Sequence, residues 1–243
     1  MKILISNDDG VFAPGIAALV LAFARAGHEV LVCAPDSQRS AASHGLTIGR
    51  AIPVKETALP GAARAYAIGG TPADCVKLGL TVLCPEAEAV VSGVNCGYNV
   101  GTDILYSGTV GAAMEGAICG LPALAISQPH TRGDYGAAAE LAVRMFDRLM
   151  ANPLGPLAVL NVNCPEGEIR GVRTAAMEQL HYDEVYTPSQ DGGVRAYTLH
   201  GEVNGKKRQS EDYRLLLRGY ATATVLYADL TDHDATNAWG AVI

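Results

Sequence analysis

Short apolar runs alternate with helical repeats along the first two thirds of the chain. Lys2 to Ser6 reads as a buried strand. Pro14 then stands at a first helical position, Ile16, Leu19, Val20 and Phe23 follow at i, i+3, i+4 and i+7, and Gly27 closes the helix. Glu29 to Ala34 is a second strand. The opening segment is therefore a β-α-β unit, which implies a parallel pair joined by a right-handed crossover.

The alternation continues with a strand at Ala89 to Val91, a helix from Ser107 to Cys119 and a strand at Ala123 to Ile126. Next come a helix from Gly136 to Met150, with Leu141, Phe146 and Leu149 on its apolar face, and a strand from Leu157 to Val162. Thr71-Pro72-Ala73-Asp74 has the form of a capping box and predicts a helix running through Leu83. The pattern predicts an α/β fold, a Rossmann-like three-layer sandwich whose mostly parallel sheet is covered on both faces.

After about Arg170 the style changes. Val194 to Val203 alternates in strand fashion after the turn signal Asp191-Gly192-Gly193, with Tyr182, Tyr186 and Tyr197 nearby. This predicts a β-hairpin arm that the core does not cover, a feature expected to pack on a partner subunit. Gly219 to Leu230 is a further strand, and a short helix is expected from Asp232. No linker divides the chain, so residues 1–243 are read as one domain, with a core of about 1–170 and an arm and C-terminal segment of about 171–243.

An apolar fraction of 49% against 18% charged residues excludes a disordered chain. Eighteen Lys and Arg against 25 Asp and Glu give a net charge of −7. The nearest thing to a basic stripe is Lys206-Lys207-Arg208, so a nucleic-acid polymer is not an expected partner. A small anionic substrate remains open if a metal ion supplies positive charge locally. Cys33, Cys75, Cys84, Cys96, Cys119 and Cys164 include no CxxC pair and read as buried, reduced thiols. Polar residues arrive at Asn7-Asp8-Asp9, too early for a signal-peptide core, and the run from Ile16 to Ala26 is too short to span a bilayer. A soluble, cytoplasmic protein without a membrane partner is expected.

The residues that carry chemistry sit just after strands: Asn7-Asp8-Asp9-Gly10, Ser37 to Ser43, and Ser92-Gly93-Val94-Asn95. In open parallel sheets this places all three segments on the rim where ligands bind. Like charges as close as those of Asp8 and Asp9 disfavour each other unless a cation sits between them. A helix-capping role explains them poorly, because the helix has its own start at Pro14. A hard ion such as Mg²⁺ or Mn²⁺ takes oxygen ligands, and Asp8, Asp9, a serine of the second loop and Asn95 would supply them. No two histidines stand at i, i+3 or i, i+4, which disfavours zinc; His28 and His130 read as structural or surface residues.

Tyr106-Ser107-Gly108-Thr109-Val110-Gly111 leads into a helix rich in small residues, Ala112, Ala113, Gly116 and Ala117. Small residues let the helix lie close to the sheet. Its first amides, with the hydroxyls of Ser107 and Thr109, would then cradle a phosphate. Neither GxxxxGK[ST] nor GxGxxG is present, so the usual nucleotide-phosphate motifs do not apply. Gly93, Gly97 and Gly101 read as a flexible loop.

Taken together, Ile3 to Gly10, Ala13 to Ile16, Ala34-Pro35-Asp36 with Arg39-Ser40, Gly45-Leu46-Thr47, Gly70 to Val76, Val91 to Asn95 and Tyr106 to Ala113 resemble the SurE (survival protein E) family of 5′/3′-nucleotidases. The resemblance implies a metal-dependent phosphomonoesterase that cleaves nucleoside 5′- and 3′-monophosphates, with short polyphosphate as a further candidate substrate. It implies one divalent ion per subunit, Mg²⁺ or Mn²⁺, on Asp8, Asp9, Ser40 and Asn95. Asp8, Asp9 and Asn95 are then the catalytic candidates, and Asn7, Ser107, Gly108 and Thr109 the phosphate- or substrate-binding ones. It also implies a homodimer or homotetramer built by exchange of the arm, about Tyr182 to Val203, and of the residues after Asp229. Two rivals are a glycosyltransferase-like enzyme, suggested by Gly27-His28-Glu29-Val30, and a non-catalytic nucleotide-binding protein. The first lacks room for its second Rossmann-like domain.

Overall fold

Strand β1 (Lys2–Ser6) sends Ile3 and Ile5 to one face of a sheet and Leu4 to the other, as a period of two requires. Both faces are covered, and all three side chains are fully buried. The computed structural model describes residues 1–191 and 194–240; Gly192 and Gly193 of the expected hairpin turn lie outside the described residues.

On the Ile3/Ile5 face lie α1 (Pro14–Arg25) and α4 (Gly136–Ala151), contributing Ile16, Leu19, Val20, Phe23, Leu141, Phe146 and Leu149. On the Leu4 face lie α2 (Pro72–Leu78) and α3 (Gly108–Ile118), contributing Cys75, Val76, Val110, Ala112, Ala113 and Ala117. The small residues of α3 serve close packing as expected. A side chain at Gly116 would begin 2.6 Å from a Val90 methyl group.

The sheet has nine strands in the order β3-β4-β2-β1-β5-β6-β7-β11-β8. Its centre is β2 (Glu29–Pro35), β1, β5 (Ala89–Cys96), β6 (Ala123–Gln128) and β7 (Ala158–Asn163), all parallel. The chain builds outward from β1 to β2 on one side and from β1 to β5 on the other, so the topological switch point lies between β1 and β5. Ser6 at the end of β1 is in register with Ser92 of β5.

The sequence pattern missed the short strands β3 (Val54–Thr57) and β4 (Arg64–Ile68), which extend the sheet beyond β2. It also missed β8 (Val172–Thr174), the 3₁₀ turn Gly101–Tyr106 and α5 (Glu211–Leu216). The helix expected through Leu83 is α-helical to Leu78 and continues as a wider π-type turn, Gly79–Leu83. Its capping box is present: Asp74 N–H donates to Thr71 Oγ1 at 3.0 Å and Thr71 N–H to Asp74 Oδ2 at 2.9 Å.

β9 (Tyr182–Asp191) and β10 (Val194–Val203) form the expected two-stranded antiparallel arm. Val185, Tyr186, Tyr197 and Leu199 on it are exposed. The segment after residue 170 nevertheless gives the main sheet two strands, because β11 (Ala221–Tyr227) pairs antiparallel with β7 and parallel with β8. Asp232 caps α6 (His233–Trp239), as the sequence suggested. Among the described residues, no helix is long and apolar enough to cross a membrane. All six cysteines are free; Cys33, Cys75, Cys84 and Cys164 are buried as expected, whereas Cys96 is half-buried and Cys119 exposed.

Candidate active site

The loop leaving β1 is closed by its own asparagine. Asn7 Nδ2 donates to the Gly10 carbonyl at 2.9 Å and Gly10 N–H returns to Asn7 Oδ1 at 3.2 Å. Both ends of the Asn7 amide are therefore occupied, and the side chain is fully buried. Asn7 shapes the loop rather than facing its mouth, so the substrate-contact role expected for it is not what this geometry provides. Asp8 and Asp9 follow, the first nearly buried and the second half-buried.

Asp8 is pressed against the start of α3. A Cβ added at Gly108 would lie 2.9 Å from Asp8 Cβ, so only glycine lets the two elements meet. Thr109 Oγ1 donates to Asp8 Oδ1. Burial pushes the Asp8 carboxyl up to about 6, and the Asp9 charge adds to this, while the Thr109 hydrogen bonds pull the other way. A carboxylate held in this state is stabilised by any cation brought beside it.

The two other expected ligands belong to other loops, and backbone hydrogen bonds bring their neighbours to the aspartates. Arg39 N–H, next to Ser40, donates to the Asp8 carbonyl at 2.7 Å. Cys96 N–H, next to Asn95, donates to Asp9 Oδ2 at 3.1 Å. Asn95 Nδ2 donates to the Gly97 carbonyl at 2.9 Å, which fixes its amide plane and leaves Oδ1 as the remaining ligating atom. Ser40 is exposed. These donors are all oxygens, two of them carboxylates of one chain turn, and the set fits a hard divalent cation.

Gly93 and Val94 make the bulge that aims Asn95. The β5–β6 register shifts between Ser92 and Asn95, and Gly93 has φ +134° with Ile126 O only 2.3 Å from where a Cβ would sit. Gly97 (φ +136°) and Gly101 (φ +50°) are likewise in the left-handed region. The three glycines expected to mark a flexible loop are instead sites where the backbone admits no side chain. Between Gly97 and Gly101, Asn99 is bound to Ser127, Asn161 and Asn163, which pins the loop to β6 and β7.

At the α3 terminus, Ser107 Oγ accepts from Val110 N–H at 3.1 Å, so this hydroxyl caps the helix. Of the residues expected to touch phosphate, Gly108 and Thr109 stand directly against Asp8, while Ser107 is one step removed. The sequence reading missed Cys96, His130, Tyr135, Gln38 and Phe12. His130 Nδ1 lies 3.3 Å from Cys96 Sγ, and Gln38 Nε2 lies 3.4 Å from Asp9 Oδ1. Phe12, Gln38 and Tyr135 line a cavity that opens beside Asp9. Phe12 shares the aspartates' loop, but no spacing rule ties the others to them, because they come from the segment after β2, the end of β5 and the segment after β6.

Residues 3–184 match the family described as "Survival protein SurE". This chain belongs to the SurE family. It is 44% identical to the 5'-nucleotidase SurE of Gloeobacter violaceus, covering 99% of this chain and 95% of that one. It is 41% identical to the 5'-nucleotidase SurE of Clostridium beijerinckii, with 96% and 95% covered. The crystal structure of the SurE protein from Aquifex aeolicus superposes with a TM-score of 0.82 at 34% identity, covering 98% of each chain. The α/β fold expected from the alternation of strands and helices is thus the fold observed, and the Aquifex aeolicus structure shares it.

Proposed function

We propose that this SurE-family chain is a metal-dependent phosphomonoesterase that releases phosphate from nucleoside 5′-monophosphates. The observation that carries the reading is the buried Asp8 beside Asp9 at the β1–β5 switch point, in a chain 41–44% identical over nearly its whole length to proteins named 5'-nucleotidase. Asp8, Asp9, Ser40 and Asn95 would hold one Mg²⁺ or Mn²⁺ per subunit. Such an ion supplies Lewis acidity toward a phosphoryl oxygen.

The residues of the chain supply the rest. The Gly108 amide, at the N-terminus of an eleven-residue helix, would receive a phosphoryl oxygen and favour the charge that grows on it, while Thr109 turns its own amide and hydroxyl to Asp8. Thr109 holds Asp8 Oδ1 by its hydroxyl proton, so Asp8 keeps one fixed orientation. Cys96 N–H does the same for Asp9 Oδ2, and the remaining carboxylate oxygens are the atoms that can accept a proton from an attacking water. The exposed apolar residues of the arm, and Leu230 and Trp239 near the C-terminus, suit burial against a second copy in a homodimer or homotetramer.

Phosphate release from AMP and GMP should require Mg²⁺ or Mn²⁺, stop with EDTA and return on adding back the ion. The matching 3′-monophosphates and short polyphosphate belong in the same assay, since the same site would take their terminal phosphoryl groups. Binding of these nucleotides without phosphate release would overturn the enzymatic reading.

A further inference from the structure

The cavity beside Asp9 has a volume of about 470 Å³ and a lining of mixed character. Its apolar lining includes Phe12, Ala13, Pro14 and Tyr135, and its polar lining Asp9, Asp36 and Gln38. Phe12 is 66% exposed, between Val11, which is fully buried, and Ala13. Its place is fixed from both sides: Val11 N–H donates to the Pro35 carbonyl at 2.8 Å and Ala13 N–H to the Gly10 carbonyl at 3.0 Å. A phenyl ring is thus held in water, three positions after a candidate catalytic carboxylate.

A nucleoside monophosphate has the complementary shape: a charged end that belongs at Asp8 and Asp9, and a flat π-surface a sugar's length away. An aromatic ring accepts a base by its face, while Gln38, 3.4 Å from Asp9, offers an amide to the base edge. The larger cavity of about 950 Å³ between the core and the root of the arm is a poorer candidate. There the Tyr182 hydroxyl is engaged by Asp103 and the Tyr98 ring packs edge-on against Tyr213 at 6.5 Å. Its described lining takes nothing from the loops that carry Asp8, Asp9 or Ser40.

We propose that Phe12 is the stacking platform for the base of a purine nucleoside monophosphate, and that it sets the preference for base-bearing esters over sugar phosphates. This rests on the nucleotidase reading and goes beyond it by naming the residue that selects the substrate. Phe12→Ala should raise KM for AMP about tenfold, equivalent to about 1.4 kcal/mol, within the range for stacking one base on an aromatic ring. It should leave kcat for AMP, and all constants for ribose 5-phosphate, unchanged, and Phe12→Trp should restore the AMP value.

A readout independent of turnover is saturation-transfer NMR of AMP in EDTA. The purine H2 and H8 protons should receive saturation from the wild-type chain and from Phe12→Trp, and lose it in Phe12→Ala. An equal KM change for AMP and ribose 5-phosphate, or base protons saturated equally in Phe12→Ala, would overturn the proposal. Absence of phosphate release from any nucleotide would overturn the nucleotidase reading instead, and the NMR comparison would still decide the role of Phe12.

Discussion

The backbone amide of Cys96 donates to Asp9 Oδ2 at 3.1 Å, joining positions 87 residues apart. One hydrogen bond thereby fixes the loop after β1 against the loop after β5, on the two strands that flank the switch point. Asn95 is delivered to the aspartates by this contact and not by its own side chain, whose nitrogen is spent on Gly97.

Replacing either carboxylate tests the centre of the site. Asp8→Asn or Asp9→Asn should lower phosphate release with saturating Mn²⁺ by about 10³-fold or more, since several kcal/mol of charge stabilisation depend on the ion. Calorimetric titration with Mn²⁺ should show weakened binding in both. Near-full turnover in Asp8→Asn would remove the metal-site reading.

Thr109 reaches Asp8 through its hydroxyl and is buried. Thr109→Val keeps the shape and deletes the donor. By analogy with other groups that orient a ligand, a loss of about 10- to 100-fold in metal affinity is expected. Thr109→Ser should recover most of it. If Thr109→Val weakened turnover without changing the Mn²⁺ titration, the hydroxyl would instead be acting on phosphate.

Asp8 gives the metal-free protein a pH signature. Its carboxyl is raised to about 6 by burial first and by Asp9 second, so the folded chain holds a proton that the unfolded chain has already lost. That stability is fully present below the ordinary carboxylate range and is lost as pH rises through about 6. In EDTA, Asp8→Asn should therefore match the wild type near pH 4 and exceed it at pH 7.5. The difference is about 3 kcal/mol at most, or roughly 6–12 °C in Tm for a chain of this size. A Tm difference independent of pH would show that Asp8 is not strained by its surroundings.

Much of this was readable before the fold was known, and the limits have physical causes. The buried strands and amphipathic helices announce themselves by period, because β1 to α4 bury one side of each helix and both sides of each strand. The edge strands β3 and β8 do not: Val54, Lys55 and Glu56 of β3 and Arg173 and Thr174 of β8 are exposed, so no strand period is imposed on them, and β4 alternates over only the five residues Arg64–Ile68. Asp8, Asp9 and Asn95 were legible because strand ends place them on one rim. Ser40 was not separable from its neighbouring serines by spacing. The Asx-type closure of Asn7 on Gly10 was not legible, because it leaves no mark beyond Asn and Gly three apart. Phe12 carries no mark in the sequence, because its exposure is set by the fold around it.

Gly93 offers the sharpest test that local backbone, and not ligand chemistry alone, builds the site. Its φ of +134° is open to glycine and strained for any L-residue, and a methyl group there would meet Ile126 O at 2.3 Å and the Ile126 side chain at 2.8 Å. β6 cannot yield easily, since Ile126 is fully buried in the sheet centre. Gly93→Ala must therefore push the bulge away from β6 and carry Asn95 with it. Strain of about 2 kcal/mol or more is expected, lowering Tm by roughly 4–8 °C. Because Asn95 is one of the four proposed ligands, Mn²⁺ affinity should fall even at temperatures where the variant is fully folded by circular dichroism. Gly27→Ala has the same kind of positive φ (+87°) but no neighbour within 4 Å, and lies at the other end of α1. It should lower Tm while leaving Mn²⁺ binding intact. If both variants lost stability and neither lost metal affinity, the bulge would not be what aims Asn95.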